Sequence, residues 1–379
     1  MPGQSPAPNT VAANHRRPAW LLPTPARRDE PEAEATVRSL LMSLMRGQDL
    51  SRADAAALLG AALDEQATDA QIAAALAVLA VKGETVDELT GMAEAMRARA
   101  VRIHCRHENF IDTAGTGSSY AKTFNVSTAA ALVAAGAGLP VAKHGSRAAT
   151  SRSGSADVLT ELGVNVQVSA DVSERCLNEI GICFLFAPLY HQATKRVADI
   201  RRQLGVHTTF NLLGPLTNPA GAPRQIIGVW DRALLEPLAH TLSALGRNRA
   251  WVMHGSDGLD EVTTSGHTYV AEVSDGAVRL LTLEPGVFGL EKSDALDQLR
   301  GGSANENAQI ISAVFDGESG GRLDAARDLI IANAAAALHV GGAANDLGEA
   351  ADLARESIGA GAAKRMLARL VEATTAATS

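Results

Sequence analysis

A glycine-rich segment in the first third of the chain has the residue types and order of a phosphate-binding loop. Residues 115–119 read GTGSS and lie between a short apolar segment and an Ala-rich run that begins near Ser127. Small residues between a strand and a helix let backbone N–H groups converge on one point, and the helix start adds unpaired donors. Asn125 and Thr128 offer further donors there, although this spacing also suits ordinary N-capping. The segment alone leaves a phosphate site and a plain turn both open.

A second polar segment follows the next predicted strand, at residues 139–142. That strand delivers KHGSR, beginning at Lys143, and the polar run 150–155 into a helix that is predicted to begin near Asp157. Both polar loops then lie side by side at the carboxyl edge of one sheet, which is where open α/β sheets bind ligands. The pair of loops therefore favours a ligand site more strongly than either loop alone.

An acidic turn follows a third predicted strand, at residues 250–253. Asp257, Asp260 and Glu261 place three carboxylates within five positions. Their mutual repulsion favours neutralisation by a cation, and hard oxygen ligands without clustered Cys or His indicate Mg²⁺. A solvated acidic turn is the alternative, and the residues alone leave both open.

The helical segment after Pro188 carries an arginine suited to binding a carboxylate. Residues 193, 197, 200 and 204 share one helical face, which puts Arg201 at the border of the buried stripe. A guanidinium at a buried edge can bind a carboxylate through two parallel hydrogen bonds. Arg202 is predicted to be solvated, and Lys195 and Asp199, four apart, to form a surface ion pair.

The elements that must position these residues divide the chain into a tail and two regions. Residues 1–33 hold seven of the fourteen prolines and predict a disordered tail, with an organelle transit peptide as the alternative. Helical spacing over 34–104 predicts four short helices, with N-caps at Ser51, Thr68 and Thr85. Alternating strands and helices over 105–379 predict a larger α/β domain, and the four-helix region is expected to serve packing and subunit association.

Within the larger region, further strands are predicted over 164–168, 183–186 and 226–229, and a helix over 173–180. Residues 267–283 predict a hairpin that turns at Asp275-Gly276. Residues 210–220, FNLLGPLTNPA, are predicted to be a packed connecting loop. The expected fold class is α/β: a small N-terminal helical domain and a larger domain with a central, mostly parallel sheet flanked by helices.

Charge and composition exclude several classes of protein. The net charge of −8 opposes nucleic-acid binding, which needs a cationic face. The longest apolar run, 129–142, is too short to span a bilayer, so no membrane partner is expected. Cys105, Cys176 and Cys183 form no metal-binding pattern and are expected to be free thiols in a reducing cytoplasm.

Five motifs in one order resemble the anthranilate phosphoribosyltransferase family, enzymes of tryptophan biosynthesis with a nucleoside-phosphorylase-like fold. The resemblance runs from about Val37 to the C-terminal helices. The motifs are GTGSSYAKTFNVST, KHGSRAATSRSGSADVLTELG, VADIRRQLG, FNLLGPLTNPA and HGSDGLDE.

The resemblance implies transfer of the phosphoribosyl group of 5-phosphoribosyl 1-diphosphate (PRPP) to the amine of anthranilate, giving N-(5-phosphoribosyl)anthranilate and diphosphate. It implies a Mg²⁺ cofactor, a homodimer formed through the helical domain, and completion of that domain by helices within 171–204. The implied PRPP-binding residues are Gly115, Gly117, Ser118, Ser119, Thr123, Asn125, Ser127, Thr128, Lys143, Ser146, Ser151 and Ser155. The implied anthranilate-binding residues are Gly115, His144, Ser146, Pro188, His191, Arg201 and Gly214. The implied metal ligands are Ser127, Asp260 and Glu261.

The implied chemistry needs little acid–base help from the protein. As the C1–O bond lengthens, an oxocarbenium-like ribose and a polyanionic leaving group separate, and holding that leaving group supplies much of the rate. An aromatic amine is already neutral at pH 7, so no dedicated general base is assigned. His144 is the candidate for catching a late proton, with a polar contact to the acceptor as the alternative.

Two motifs depart from the family pattern. The usual GTGGDG ends here in Ser118, Ser119 and Tyr120, and the usual KHGN ends in Ser146; Thr194 also replaces a commonly larger residue. Serine keeps a donor and an acceptor but loses the carboxylate at 119 and shortens the reach at 146. The alternatives are a related phosphoribosyltransferase or nucleoside phosphorylase with another aromatic acceptor, and a non-catalytic paralogue that binds nucleic acid or a partner.

Overall fold

Four N-terminal helices open the computed structural model, which describes residues 32–117, 121–148 and 152–376. The hydroxyls of Ser51, Thr68 and Thr85 accept the N–H groups of the third residues of the second, third and fourth helices, so all three predicted caps are confirmed. The predicted tail lies outside the described residues as far as residue 31. The helices are α1 (Glu32–Met45), α2 (Arg52–Leu63), α3 (Asp69–Lys82) and α4 (Val86–Ala98).

The remainder of the chain alternates strands with helices. The strands are β1 (Ile111–Gly115), β2 (Val141–Gly145), β3 (Ile182–Phe186), β4 (Arg224–Gly228), β5 (Arg249–Gly255), β6 (Thr268–Ser274) and β7 (Ala277–Leu283). The helices are α5 (Val126–Gly136), α6 (Ser155–Glu161), α7 (Ala170–Arg175), α8 (Ala187–Tyr190), α9 (Lys195–Leu204), α10 (Thr209–Leu216), α11 (Leu235–Ala244), α12 (Ala304–Phe315), α13 (Arg322–Gly341), α14 (Leu347–Gly359) and α15 (Ala362–Thr375). A π-helical turn, Cys176–Ile180, extends α7.

The strands form one seven-stranded sheet in the order β3-β2-β1-β4-β5-β6-β7. The pairs from β3 to β5 are parallel, whereas β6 and β7 are antiparallel. Asp275 and Gly276 join β6 to β7 with φ angles of 49° and 84°, the positive values that a two-residue hairpin needs. The α/β fold class and the hairpin are confirmed.

Two apolar cores cover the two faces of the sheet. One core contains residues of α5 and α12 to α15. The other contains residues of α1 to α4 and α9 to α11. Val197 and Ile200 place α9 in this second core, with the N-terminal helices, whereas Val172 and Leu177 place α7 and its π-helical turn in the first core. The division of the chain at residue 104 stays a prediction.

Two predicted elements are wrong. Residues 164–168 form turns and irregular backbone instead of a strand, because the N–H of Gln167 donates to Asn165 Oδ1 at 3.0 Å and that of Asn165 to Thr374 Oγ1 at 3.2 Å. The alternating valines are buried without a strand partner. The connector 210–220 contains α10, which starts with a capping box of Thr208 and Asn211.

Two local predictions also change. Lys143 and His144 lie within β2 rather than in the loop after it, because pairing with β3 continues to Gly145. Asp199 forms its ion pair with Arg202 instead of Lys195. Asp199 and Arg202 are both exposed on α9, and ion pairs at exposed positions add little stability.

Candidate active site

The first glycine loop leaves the carboxyl end of β1 and enters α5. The N–H and hydroxyl of Thr116 both donate to Gly228 O, at 2.9 and 3.1 Å, which ties the loop to β4. Gly117 has a φ of 64°, a conformation that glycine adopts without strain. Ser118 and Ser119 lie outside the described residues. The loop therefore begins where the sequence placed it, at the sheet's carboxyl edge.

Asn125 connects this loop with the second one. It occupies the N-cap of α5 in a left-handed conformation, with φ 65°, but its side chain makes no capping bond. Its Nδ2 instead donates to Ser153 O at 3.4 Å, and its Oδ1 accepts from Asn307 Nδ2 at 2.9 Å. Ordinary side-chain N-capping is thus the wrong explanation for Asn125. Thr123 pairs with Arg300 in an isolated bridge, and the buried Thr128 hydroxyl has no hydrogen-bond partner among the described residues.

Lys143 lies beneath the start of α5. Its Nζ donates to the Thr113 carbonyl, to Thr113 Oγ1 at 3.3 Å and to Ser127 Oγ at 3.3 Å. The side chain is buried. Burial lowers the pKa of Lys143, while the charges of Asp112 and Glu261 oppose that decrease. The ammonium therefore faces the residues that begin α5.

Glu261 lies at the same place. Its Oε1 accepts the Ser127 N–H at 3.3 Å. Burial raises the pKa of Glu261 to about 8, with the Asp260 charge adding to the rise and Lys143 opposing it. A Cβ at Gly115 would lie 3.6 Å from Asp260 Oδ2, so this carboxylate adjoins the end of β1. Ser127 thus bridges Lys143 and Glu261 at the predicted site.

Asp257 belongs to the turn itself. Its Oδ1 accepts from the Leu259 N–H at 3.2 Å, and its other oxygen accepts from the Thr263 hydroxyl. The backbone of Asp260 passes so close to β4 that a Cβ at Gly228 would lie 1.6 Å from Asp260 O. Gly228 is therefore required for the acidic turn to reach the site.

The donor set at this point fits Mg²⁺. Burial and the adjacent Asp260 charge both raise the pKa of Glu261, so a cation placed at this point would be stabilised by the two carboxylates. Across the described residues, no three His, Cys, Asp or Glu side chains are grouped to hold a metal. Two carboxylates and the Ser127 hydroxyl would leave positions for water and phosphate oxygens, which is how Mg²⁺ is commonly held.

The two ends of the second loop, at Ser146 and Ser155, are in contact. Ser146 O accepts the Ala156 N–H at 3.2 Å and the Ser155 hydroxyl at 3.4 Å. Ser146 itself is exposed. Ser151 lies outside the described residues. Two of the predicted phosphate-contacting serines therefore mark the ends of the loop.

Alternation along β2 splits the motif KHGS between the two faces of the sheet. Ile111 pairs with Val141, so Thr113 and Lys143 point to the α5 face and His144 points to the opposite face. His144 Nδ1 donates to Gly214 O in α10 at 3.2 Å. The motif therefore presents side chains to both faces of the sheet.

His144 and His191 form a neutral pair on that opposite face. Their ring centroids are 5.1 Å apart. Burial lowers the pKa of His144 to about 3, with the His191 charge contributing, and burial lowers the pKa of His191 to about 4. Nε2 of each ring is buried without a partner among the described residues. Because Nδ1 of His144 is the donor, its Nε2 presents a lone pair, as a ligand N–H would require.

Arg201 is fixed along one edge of its guanidinium. Nε donates to Thr208 Oγ1 at 2.9 Å and NH2 to Asn211 Oδ1 at 3.1 Å, and the group lies over the Phe210 ring at 5.3 Å. Burial lowers its pKa. The predicted two-bond contact with a carboxylate can then use only the other edge, which carries NH1. Pro188 is exposed in the short helix α8, just before His191.

Two further residues that support the site, Asp112 and Asn307, were not predicted from the sequence. Asp112 is fully buried and accepts from the His144 N–H at 3.1 Å and Gln225 Nε2 at 3.2 Å; burial raises its pKa. Asn307 accepts from the Gly302 N–H at 2.8 Å while it donates to Asn125. Asp112 was recognisable as a polar residue in an apolar strand, but no sequence signal relates Asn307 to a residue 182 positions away.

Two family profiles match the chain. Residues 38–100 match the profile described as "Glycosyl transferase family, helical bundle domain", and residues 107–364 match "Glycosyl transferase family, a/b domain". The anthranilate phosphoribosyltransferase of Anaeromyxobacter dehalogenans (strain 2CP-C) is 51% identical over 339 residues, covering 89% of this chain and 99% of that protein.

Solved structures of anthranilate phosphoribosyltransferases resemble the fold. The crystal structure of the Thermus thermophilus enzyme matches with a TM-score of 0.82 at 37% identity, covering 90% of this chain and 99% of that chain. The Saccharomyces cerevisiae enzyme in complex with PRPP and Mg matches with a TM-score of 0.82 at 29% identity, covering 90% and 99%. The yeast enzyme in complex with 4-fluoroanthranilate matches with a TM-score of 0.79 at 27% identity, covering 91% and 98%.

Proposed function

Because the chain belongs to the anthranilate phosphoribosyltransferase family, we propose that it transfers the phosphoribosyl group of PRPP to the amine of anthranilate, releasing diphosphate. The observation that carries the proposal is the cluster of Lys143, Ser127 and Glu261 at the carboxyl edge of the sheet. A cation, a hydroxyl and a carboxylate at a helix start suit a metal-bound diphosphate better than an uncharged ligand.

The α5 side of the sheet binds the diphosphate sugar. Backbone N–H groups of the first loop and the Lys143 ammonium neutralise the leaving group as the C1–O bond breaks. Asn125, which joins the two loops, fixes their separation. We assign the PRPP contacts to Gly115, Gly117, Ser118, Ser119, Thr123, Asn125, Ser127, Thr128, Lys143, Ser146, Ser151 and Ser155.

Ser127, Asp260 and Glu261 would hold Mg²⁺. When bound, the ion supplies positive charge that neutralises the diphosphate and orients it for departure. The yeast relative was solved with PRPP and Mg, which supports this assignment. Asp260 and Glu261 would bring the two carboxylates, and the first loop would bring backbone N–H groups for the phosphates.

The opposite side of the sheet binds the aromatic acid. The free edge of Arg201 binds the carboxylate. The amine N–H donates a hydrogen bond to the lone pair on His144 Nε2, which directs the nitrogen at C1. With a pKa of about 3, His144 is a poor proton acceptor, so it positions the amine and does not ionise it. Gly115, Ser146, Pro188, His191 and Gly214 complete the assigned acceptor pocket, and the yeast relative was solved with 4-fluoroanthranilate.

The assay follows anthranilate fluorescence, which is lost on transfer. We expect loss that depends on PRPP, on Mg²⁺ and on the protein together. No loss with all three present would refute the function. Phosphate-dependent cleavage of nucleosides in parallel reactions would favour the phosphorylase alternative, and retention of DNA on filters at low salt would favour a nucleic-acid-binding paralogue.

We further propose a homodimer formed through the helical domain, and a cytoplasmic location. Three large apolar side chains of that domain are exposed, Met45 at 47%, Val81 at 89% and Val101 at 42%, and exposed apolar surface is typical of subunit interfaces. None of the described helices combines the length and the apolar character needed to cross a membrane. The location rests on the family's soluble substrates.

A further inference from the structure

The second loop has a single carboxylate at its base. Asp157, in the first turn of α6, accepts the N–H of Ala148 at 2.9 Å and the N–H of Gly154 at 3.0 Å, both through Oδ2. Its Oδ1 accepts from Arg147 NH1 at 3.0 Å. One side chain thus binds Ala148, three residues after the end of β2, and Gly154, the N-cap residue of α6.

The two described ends of the loop are in close contact. A Cβ at Gly154 would lie 2.5 Å from Ala148 N and 2.6 Å from Ser146 O, so the incoming strand of the loop touches the outgoing one. Although burial opposes ionisation, the two N–H donors and Arg147 hold the pKa of Asp157 below its ordinary value. The carboxylate is therefore charged, and charged acceptors make the stronger hydrogen bonds.

We propose that Asp157 is a positioning residue for diphosphate binding, a carboxylate clasp that holds together the two described ends of the second loop, residues 146–148 and 152–155. It touches no substrate itself. The inference rests on the proposed function, because it assigns this loop to the PRPP phosphates. Arg147, which also lies over the Phe186 ring at 5.8 Å, steadies the clasp from the solvent side.

An ordinary helix-capping role is the competing explanation, because Asp157 is the third residue of α6 and binds the N-cap N–H. Capping acts within its own helix and changes stability. A clasp acts on the loop and changes the affinity for the phosphorylated substrate, because a loop misplaced by about 1 Å can cost on the order of a hundredfold in rate. Asp54 separates the two roles, since it holds the same third position in α2, far from the loop.

The test compares Asp157→Ala, Asp157→Glu, Asp157→Asn and the control Asp54→Ala in the full chain. Asp157→Ala is expected to raise KM for PRPP at least tenfold, with KM for anthranilate changed less than threefold. Asp157→Glu keeps the charge and the helix preference but moves the acceptor by one methylene, so it raises KM for PRPP even where the alanine variant does not fold. Asp157→Asn keeps an oxygen for both N–H groups but loses the charge and the acceptor for Arg147, so it is expected to raise KM for PRPP by less than Asp157→Ala does.

Equal KM values for PRPP in Asp157→Glu, Asp54→Ala and the unsubstituted protein would overturn the clasp, as would equal increases in both KM values. The binding of PRPP with Mg²⁺ measured by calorimetry separates this failure from failure of the proposed function. If the unsubstituted protein binds PRPP but forms no product, the function is wrong, and a tenfold weaker Kd in Asp157→Glu still supports the clasp. An unchanged Kd refutes it.

Discussion

The charges of a few buried side chains differ between the two faces of the sheet, and this difference indicates which ligand each face suits. Lys143 and Glu261 are both buried, and Ser127 lies between them, so their charges compensate only in part. Burial of a charged group is costly unless the charge is neutralised, and a metal-bound diphosphate brings both signs of charge to this point. His144 and His191 are buried and neutral, which suits an uncharged aromatic amine.

Removal of the acidic pair is expected to cost more activity than removal of the histidine. The double substitution Asp260→Ala with Glu261→Ala should lower kcat/KM by roughly a thousandfold, the upper range for losing electrostatic stabilisation. His144→Ala should cost about tenfold, because it removes one neutral contact with the amine. Steady-state kinetics at saturating Mg²⁺ measure both. The reverse order would show that a proton transfer through His144 limits the reaction.

Arg201→Ala is expected to raise KM for anthranilate by roughly ten- to a hundredfold, the effect of losing hydrogen bonds to a charged group. KM for PRPP should hardly change, because the guanidinium lies on the acceptor side of the sheet. Arg202→Ala is the matched control, because Arg202 is the next residue in the chain and its side chain is exposed and paired with Asp199. Equal increases in both KM values for Arg201→Ala would make the residue structural.

The lowered pKa values of His144 and His191 make the free energy of unfolding depend on pH. Their folded pKa values of about 3 and 4 lie below the ordinary value of 6.5, so the unfolded chain binds more protons between pH 4 and 6.5. The free energy of unfolding should then fall as the pH is lowered through that window, by about 2 kcal/mol for each histidine at pH 5. Urea unfolding at pH 7 and pH 5 measures the fall.

The variants His144→Gln and His191→Gln should each show a smaller difference between the two pH values. His240→Gln, at an exposed position of α11, serves as the control. An undiminished pH dependence in both buried-site variants would contradict the buried neutral state of the pair.

At the scale of elements, α12 contacts the residue that joins the two loops, Asn125. Asn307 fixes the amide of Asn125, and Asn125 in turn binds Ser153 of the second loop. The Asn307 amide donates to Asn125 Oδ1, and this leaves Asn125 Nδ2 to donate to Ser153 O. If Asn307 lost its donor, the Asn125 amide would favour the flipped orientation, with Nδ2 toward residue 307. We therefore expect α12 to affect phosphate binding through Asn125.

Asn307→Asp replaces the donor to Asn125 by a second acceptor and places a negative charge beside the loops. KM for PRPP is expected to rise at least tenfold, while KM for anthranilate stays within threefold. Asn305→Asp is the matched control, because it makes the same chemical change two residues away at an exposed position of the same helix. Similar KM values for the two variants would show that α12 has no part in binding.

At the scale of the whole molecule, the sheet separates two chemistries. The α5 face carries Lys143 and Glu261, which are proposed to bind the diphosphate, and the face toward the N-terminal helices carries His144, His191 and Arg201, which are proposed to bind the acceptor. Alternate residues of β2 serve the two faces, so the substrates can meet at the strand's carboxyl end. The helical layer closes the acceptor side and is expected to provide the subunit contact.

Val81→Glu is expected to weaken that subunit contact, because it places a charge on an exposed apolar position of α3. Sedimentation at micromolar concentration should show a lower mass than that of the unsubstituted protein. Leu280→Glu, on the exposed edge strand β7, is the matched control and should leave the mass unchanged. A monomeric unsubstituted protein, or equal masses for all three, would refute the predicted interface.

The sequence by itself determined the local parts of this protein. Glycines at 115 and 117, the capping residues Ser51, Thr68 and Thr85, and the turn Asp275-Gly276 act through their own backbone neighbourhoods, so their positions could be predicted. The order of strands and helices followed for the same reason. The failures at 164–168 and 210–220 arose where side chains from distant elements or an unrecognised cap supplied the hydrogen bonds.

Only the tertiary structure decided which residues share a charge environment. The neutrality of His144 and the raised pKa of Glu261 come from burial, and burial depends on the packing of elements far apart in sequence. The roles of Asn307 and of Gly228 depend likewise on chain segments that meet only in the fold. Spacing along a chain reports local geometry, whereas these energies depend on through-space neighbours that spacing does not encode.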